Sequence, residues 1–535
     1  MKRKTLLIVS LATLVPLAAC LFYPTASSKY AITPDEKLTA GKKAYLEDKA
    51  PTDTSRKPNV IIIIADDLGK YDLSVYGGKL VKTPHIDSIG LQGAVCTEGY
   101  VTSPICSPSR AALMTGRYQQ RFGHEFQPKA RYIRNRFEYY MFKIFMQKDG
   151  WIPNDAMEFP SEEDIHKQGL PLSEITLPEM LKKYGYATAI TGKWHLGEQP
   201  DFVPRKRGFD YHYGIYEAYT LYADPADKNV VSHHCAEFSD QMMWKSGRKG
   251  PHAIRRDDEI IEEKAYLTDE IAREAVQFID KNKTKPFFLY ASFTAPHVPL
   301  QVTKKYYDQF AHIKEEATRV YYAMIASLDD AVGQITQKIK QEGLEDNTLI
   351  FFVSDNGGAT YLKFMTNDPL KGGKFSNFEG GLNVPFLVKW KGKIPAGTVY
   401  KQPVALFDMF TTTAAAVRAS LPTDRTYDGV DLVPFLSQKE TKVPHPVLYW
   451  RSGYNKAVRT DKWKLIVNAR TNEKILYNIA EDKYEKFDLL NKNPEQVKEL
   501  EDLHAQWEKT LKNPLWPGIM NLHFNIDGKT YIFEI

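Results

Sequence analysis

Asp66, Asp67, Asp355 and Asn356 each follow directly on an apolar run, and together they offer only oxygen donors. Oxygen ligands without histidine or cysteine suit Ca²⁺ or Mg²⁺ rather than zinc. Three carboxylates brought together without a cation would repel one another and take up protons. A divalent ion removes that conflict. Calcium is the expected metal, because it tolerates irregular geometry and leaves room for a substrate oxygen, and magnesium is the second choice.

Cys106 opens a second constellation. Residues 104–116 read Pro-Ile-Cys-Ser-Pro-Ser-Arg-Ala-Ala-Leu-Met-Thr-Gly. Pro108 suits the first turn of a helix and Gly116 its end. That spacing puts Cys106 at a helix N-terminus, where free N–H groups and the helix dipole favour an anion. Arg110 follows one turn later on the same face. Lys193 and His195 close another apolar run, and a third runs on into His297. Each of these alone is equally an ordinary loop lysine or a structural histidine; their joint placement is what suggests a site.

Four runs must position these groups. Val60–Ile64, Leu349–Val353, Phe287–Ala291 and Tyr186–Ile190 are continuous apolar stretches, not alternating ones. Such runs suit strands covered on both faces, as in a parallel sheet. Thr176-Leu-Pro-Glu179 reads as a capping box with Pro178 in the first turn and Gly185 closing the helix. Ile271, Ala275 and Ile279 mark one face of a second helix, and residues 321–340 read as a third. Alternating strands and helices predict an α/β fold with a large, mostly parallel sheet flanked by helices. Its active site then forms at the carboxyl ends of the strands.

The Cys106–Gly116 stretch resembles the signature of type I sulfatases, Cys-x-Pro-Ser-Arg followed by an Ala/Leu-rich turn and Thr-Gly. Gly185–His195 resembles the second signature of that family, departing at Thr191, where a small or aliphatic residue is usual. Asp66-Asp67, Pro296-His297-Val-Pro, Ser-Asp355-Asn356-Gly and Gly373-Lys374 ahead of Phe378-Glu379-Gly-Gly381 resemble further family blocks, in the family order, across residues 57–420. The resemblance implies an alkaline-phosphatase-like fold and hydrolysis of sulfate esters. It implies that a separate maturation enzyme oxidises Cys106 to formylglycine. Asp66, Asp67, Asp355 and Asn356 would bind calcium beside residue 106. Arg110 would orient the formylglycine hydrate, and Lys193 and Lys374 would hold the sulfate oxygens. His195 would assist collapse of the hydrate, and His297 would be the acid at the leaving oxygen. The substrate expected is a sulfated carbohydrate. Alternatives are an aryl sulfatase, a phosphonate or phosphate monoesterase on the same scaffold, or a surface lipoprotein that binds glycan with an unmodified Cys106.

The wider composition fits this picture. The 535 residues are 43% hydrophobic and 26% charged, an ordinary globular balance. Net charge is +5, and it becomes +2 once a leader containing Lys2, Arg3 and Lys4 is removed, which argues against a nucleic-acid binder. Met1-Lys-Arg-Lys followed by an apolar run to Ala19 reads as an export leader. Leu17-Ala-Ala-Cys20 resembles a bacterial lipobox, which would make Cys20 a lipidated anchor at the periplasmic or outer surface; otherwise Cys20 is incidental. Residues 21–56 read as a polar tether, 57–420 as the catalytic domain, and 421–535 as a smaller α+β subdomain with a short antiparallel sheet and one helix. Cys20, Cys96, Cys106 and Cys235 are too few for a disulfide framework. Residues 129–148 interleave basic and aromatic side chains, and either grip an anionic sugar polymer or cover the sheet. A second basic loop runs from Lys245 to Arg256.

Overall fold

The four apolar runs are neighbouring strands: β1 (Asn59–Ala65), β2 (Ala187–Lys193), β3 (Phe287–Ser292) and β4 (Thr348–Ser354). The computed structural model describes residues 20–48, 57–146 and 150–535. The leader, residues 49–56 and Lys148 lie outside the described residues. The strands stand in the order β4-β1-β3-β2, all parallel, with Ile62 of β1 opposite Phe351 on one side and Tyr290 on the other.

These four form the centre of a ten-stranded sheet. Tyr211–Ile215 adds in parallel beside β2, whereas Phe386–Lys389 lies antiparallel against β4. The sheet is therefore mixed: parallel through its centre, where helical crossovers join the strands, with antiparallel pairs outside it.

The helices that matter here are α1 (Glu36–Glu47), α2 (Cys106–Thr115), α3 (Arg136–Met146), α4 (Leu177–Lys183), α5 (Leu267–Asn282), α6 (Glu316–Gln341) and α7 (Pro494–Glu508). Ile61 and Ile63 of β1 pack with Ile271 and Ile279 of α5 and Ile325 of α6. Val60, Ile62 and Ile64 pack on the other face with Leu113 of α2 and Leu181 of α4. Both faces are covered, which is why the strand sequences are apolar without alternation. The capping box of α4 is formed: Thr176 N–H donates to the Glu179 carboxylate at 2.8 Å, and Glu179 N–H donates to the Thr176 hydroxyl at 3.3 Å.

The tether expectation needs correction. Residues 36–47 form α1, capped by the Asp35 side chain, which accepts from Leu38 N–H at 3.1 Å. The helix has no buried residue. Tyr45 packs against the core, and polar contacts such as Lys42 to Glu179 at 2.7 Å hold the rest. A helix docked largely by its polar groups leaves little apolar period in the sequence, so it reads as a linker.

The C-terminal part contains a four-stranded antiparallel sheet, Leu448–Ser452 through Glu473–Asn478, packed against α7. A last hairpin, Met520–Ile526 with Lys529–Glu534, takes Trp151–Pro153 of the catalytic part as its third strand. A buried ion cluster joins the two parts as well. Lys464 Nζ lies 2.8 Å from a Glu379 oxygen and 2.9 Å from a Glu485 oxygen. Burial pushes the Glu485 carboxyl up to about 7, although Lys464 pulls it down. Lys464→Met leaves two buried carboxylates facing each other and should cost roughly 3–5 kcal/mol of stability in denaturant titrations. The deficit should shrink as pH falls through 7, since a carboxyl whose folded pKa is raised favours the folded state when protonated.

Candidate active site

Because β1, β2, β3 and β4 run the same way, their carboxyl ends share one edge of the sheet. Asp66 and Asp67 follow β1, Lys193 ends β2, His297 lies five residues beyond β3, and Asp355 and Asn356 follow β4. Two residues there, Asp67 and His195, have φ of 61° and 58°. Left-handed backbone at a non-glycine residue costs of order 1–3 kcal/mol and persists only where its surroundings enforce it. At His195 the enforcing contacts are visible: its N–H donates to the Tyr216 carbonyl at 2.9 Å, and its carbonyl accepts the Ser107 hydroxyl at 2.7 Å. Ser107 in turn accepts from His124 Nε2 at 2.8 Å. Gly192 just before Lys193 is required, since a Cβ there would sit 1.8 Å from the Ser292 carbonyl oxygen.

α2 delivers position 106 to the same place. Cys106 is its first residue, and Gly116 closes it in the left-handed region at φ 70°. One ligand atom from each of Asp66, Asp67, Cys106 and Asp355 lies within 4.8 Å of the others, and all four residues are buried. Cys106 Sγ is 3.5 Å from Asp66 Oδ1 and 3.9 Å from Asp67 Oδ1. Asn356 Nδ2 donates to Asp67 Oδ1 at 2.6 Å, which leaves its buried Oδ1 without a donor. Three carboxylates and an orphaned amide oxygen make a donor set suited to a hard divalent cation.

Cationic groups ring this cluster. Lys193 Nζ is 2.6 Å from Asp66 Oδ2, and Lys374 Nζ is 2.9 Å from Asp67 Oδ2. Arg110 Nε donates to Asp355 Oδ2 at 2.8 Å, while its Nη1 reaches the Ser292 hydroxyl at 2.6 Å and the Lys193 carbonyl at 3.3 Å. Burial pushes the Asp66 carboxyl up, but Lys193, His297 and Arg110 outweigh it and hold it below the usual carboxylate range. Lys374 and His297 do the same for Asp67. The thiol of Cys106 goes the other way: burial and the Asp355 carboxylate push it up, so it stays protonated.

The two histidines differ. His297 Nδ1–H donates to the Val298 carbonyl, which fixes the tautomer and leaves Nε2 toward Asp67 Oδ2 at 3.5 Å. His195 is buried with neither ring nitrogen bonded, and burial together with Lys193 and Arg110 keeps its pKa well below the usual value. It lines a small cavity with Lys129, Glu198, Tyr216 and Glu217.

All ten core positions singled out in the sequence therefore sit at this edge. Glu198 and Glu217 were missed, since isolated loop glutamates carry no pattern. Burial and Glu217 push Glu198 up to about 7. Of the basic and aromatic side chains described in this stretch, Lys129 lines the cavity, whereas α3 packs on the Trp151–Pro153 strand. The Lys245–Arg256 loop uses several of its charges internally: Arg256 pairs with Glu274, and Arg248 donates to the Leu221 carbonyl. Thr191 is buried with its hydroxyl unpartnered, and nothing in the structure explains that departure.

The comparisons agree with this geometry. The sulfatase family model matches residues 58–419. N-acetylgalactosamine-6-sulfatase of Rattus norvegicus is 32% identical over 421 residues, 78% of this chain and 72% of that protein. The human N-acetylgalactosamine-6-sulfatase is 33% identical over 399 residues, 74% of this chain and 68% of that protein. The crystal structure of Ps i-CgsB superposes with a TM-score of 0.72 at 32% identity, covering 86% of this chain and 95% of the other. With the family matched over most of the chain and its acidic, cysteine-centred site assembled at one sheet edge, this protein belongs to the sulfatase family and is a sulfuric ester hydrolase.

Proposed function

We propose that this chain removes sulfate from a sulfated carbohydrate, using Ca²⁺ and a formylglycine made from Cys106. The observation that supports the reading is the meeting of three carboxylates and position 106 at one buried point, with two lysines alongside. Ps i-CgsB has been crystallised with a neocarrahexaose, and the mammalian relatives are named for a sugar sulfate, which favours a saccharide substrate here too.

Asp66, Asp67, Asp355 and Asn356 would hold the cation, with residue 106 beside them. Calcium would neutralise the carboxylates and make an oxygen acid next to it easier to ionise. A hydrated aldehyde at position 106 would offer two hydroxyls, one to attack sulfur and one to expel sulfate, and a plain thiol lacks the second, which is the reason to expect the oxidised form. Arg110 keeps Asp355 and the Lys193 backbone in place. With a cation facing Asp66 and Asp67, the ammonium groups of Lys193 and Lys374 are free to hold the sulfate oxygens. Each such preorganised donor is worth about 3 kcal/mol in the transition state. His297, with Nδ1 committed to the Val298 carbonyl, would bind a second proton on Nε2 beside Asp67 and give it to the departing sugar oxygen. His195, with both ring nitrogens open, would assist collapse of the hydrate. The leader and Cys20 point to export to the periplasm or cell surface, with a lipid anchor.

Protein matured in a host that supplies the modifying enzyme should hydrolyse an aryl sulfate faster than the matching aryl phosphate. Mass spectrometry should find its peptide around residue 106 lighter than the cysteine form. Preference for phosphate, or full activity with an intact cysteine, would overturn the proposal.

His297→Ala should lower kcat/KM on a sugar sulfate by about 10²–10⁴-fold, the usual range for losing a general acid. The loss should be far smaller on nitrophenyl sulfate, whose leaving group needs no proton.

Saturating calcium should raise the melting temperature, by about 2.7 kcal/mol of linkage at a hundred times Kd. Asp355→Ala should remove that gain, and magnesium should give less of it. A rise that survives in Asp355→Ala would place the ion elsewhere.

A further inference from the structure

We infer that the exposed apolar face of α3, extended by Phe22 and Tyr23, seats this protein on a phospholipid bilayer. Phe137, Tyr140, Met141, Ile144 and Phe145 follow the i, i+3, i+4, i+7, i+8 spacing of one helix face, and all five are 37% to 67% exposed. The opposite side already carries the packing: Tyr139 is buried, and Phe142 contacts the cluster around Trp516. Among the described residues, the helix is thus apolar on both sides with one side covered. A contiguous apolar face of this kind on a folded surface marks an interaction site.

Its neighbours identify the occupant. The Phe22 ring stacks on Phe137 with centroids 5.5 Å apart, and the Arg136 guanidinium lies 5.5 Å from the Tyr23 ring. Phe22 and Tyr23 are 59% and 61% exposed, so they enlarge the patch and do not cover it. Cys20, two residues earlier, is exposed, and Arg136 Nη1 is 3.4 Å from its sulfur. An acyl chain on Cys20 would leave the protein at the edge of this patch. A helix with aromatic and aliphatic residues on one face and Arg136 and Lys143 at its flank has the make-up of one lying in the headgroup layer. The acyl chain alone would let the enzyme swivel; a second contact through α3 holds one face against the membrane.

The test uses the exported chain from position 20, carrying Cys20→Ser so that no acyl chain can attach. It should co-float with vesicles of phosphatidylethanolamine and phosphatidylglycerol. Ile144→Gln with Phe145→Gln should cut the bound fraction about tenfold or more, since the apolar contact supplies the affinity. Phe22→Ser with Tyr23→Ser should reduce it as well. Aryl sulfate turnover should be unchanged in both variants, which reports intact folding, because none of these residues lies at the site. The inference is overturned if the parent stays in the soluble fraction, or if the Gln pair floats as well as the parent. It is also overturned if the parent is a dimer in solution that ignores vesicles and that the Gln pair splits, since a second copy would then occupy the face.

Discussion

Three buried carboxylates within reach of one another are the constraint around which this molecule is built. Asp66, Asp67 and Asp355 are fully desolvated, and each like charge raises the cost of the next. The chain answers with Lys193, Lys374 and Arg110, one cation against each acid. That balance makes the cluster tolerable in the protein by itself. Its donor set would also suit a divalent ion, which would leave the lysines to an anionic substrate.

The scaffold serves that convergence. Parallel strands deliver their ends to one edge, and α2 aims its N-terminus at the same point. The strand ends are then fixed by contacts unrelated to chemistry. Ser107 and His124 lock the left-handed turn at His195, and Gly192 lets β2 approach β3 closely enough to carry Lys193 inward. Around this rigid centre the periphery is held by polar means: α1 by capping and lysine contacts, and the C-terminal part by the buried Lys464 cluster and a shared strand.

The surface separates two tasks that the sequence runs together. In residues 129–148 the first basic residue, Lys129, lines the His195 cavity, whereas the helix that follows turns Phe137, Tyr140 and Phe145 outward. The proposed membrane contact and the proposed saccharide site near His195 fall on different stretches of chain.

The sequence by itself determined the central strands and the α2 turn by local rules, and the ten core positions by motifs that resemble the family's in order. Val60–Ile64 is apolar because both faces are covered, Pro108 and Gly116 bracket one helix, and Cys106 with Arg110 is a one-turn spacing. Tertiary structure alone decided what depends on distant partners. α1 carries little apolar stripe beyond Tyr45, and much of its docking falls to Glu179 and Arg425, more than a hundred residues away. The Met520–Glu534 hairpin needs Trp151–Pro153, and Glu198 and Glu217 matter only because folding turns them toward His195. A period or a cap is written within a few neighbouring residues; a contact between remote residues exists only once the chain has closed on itself.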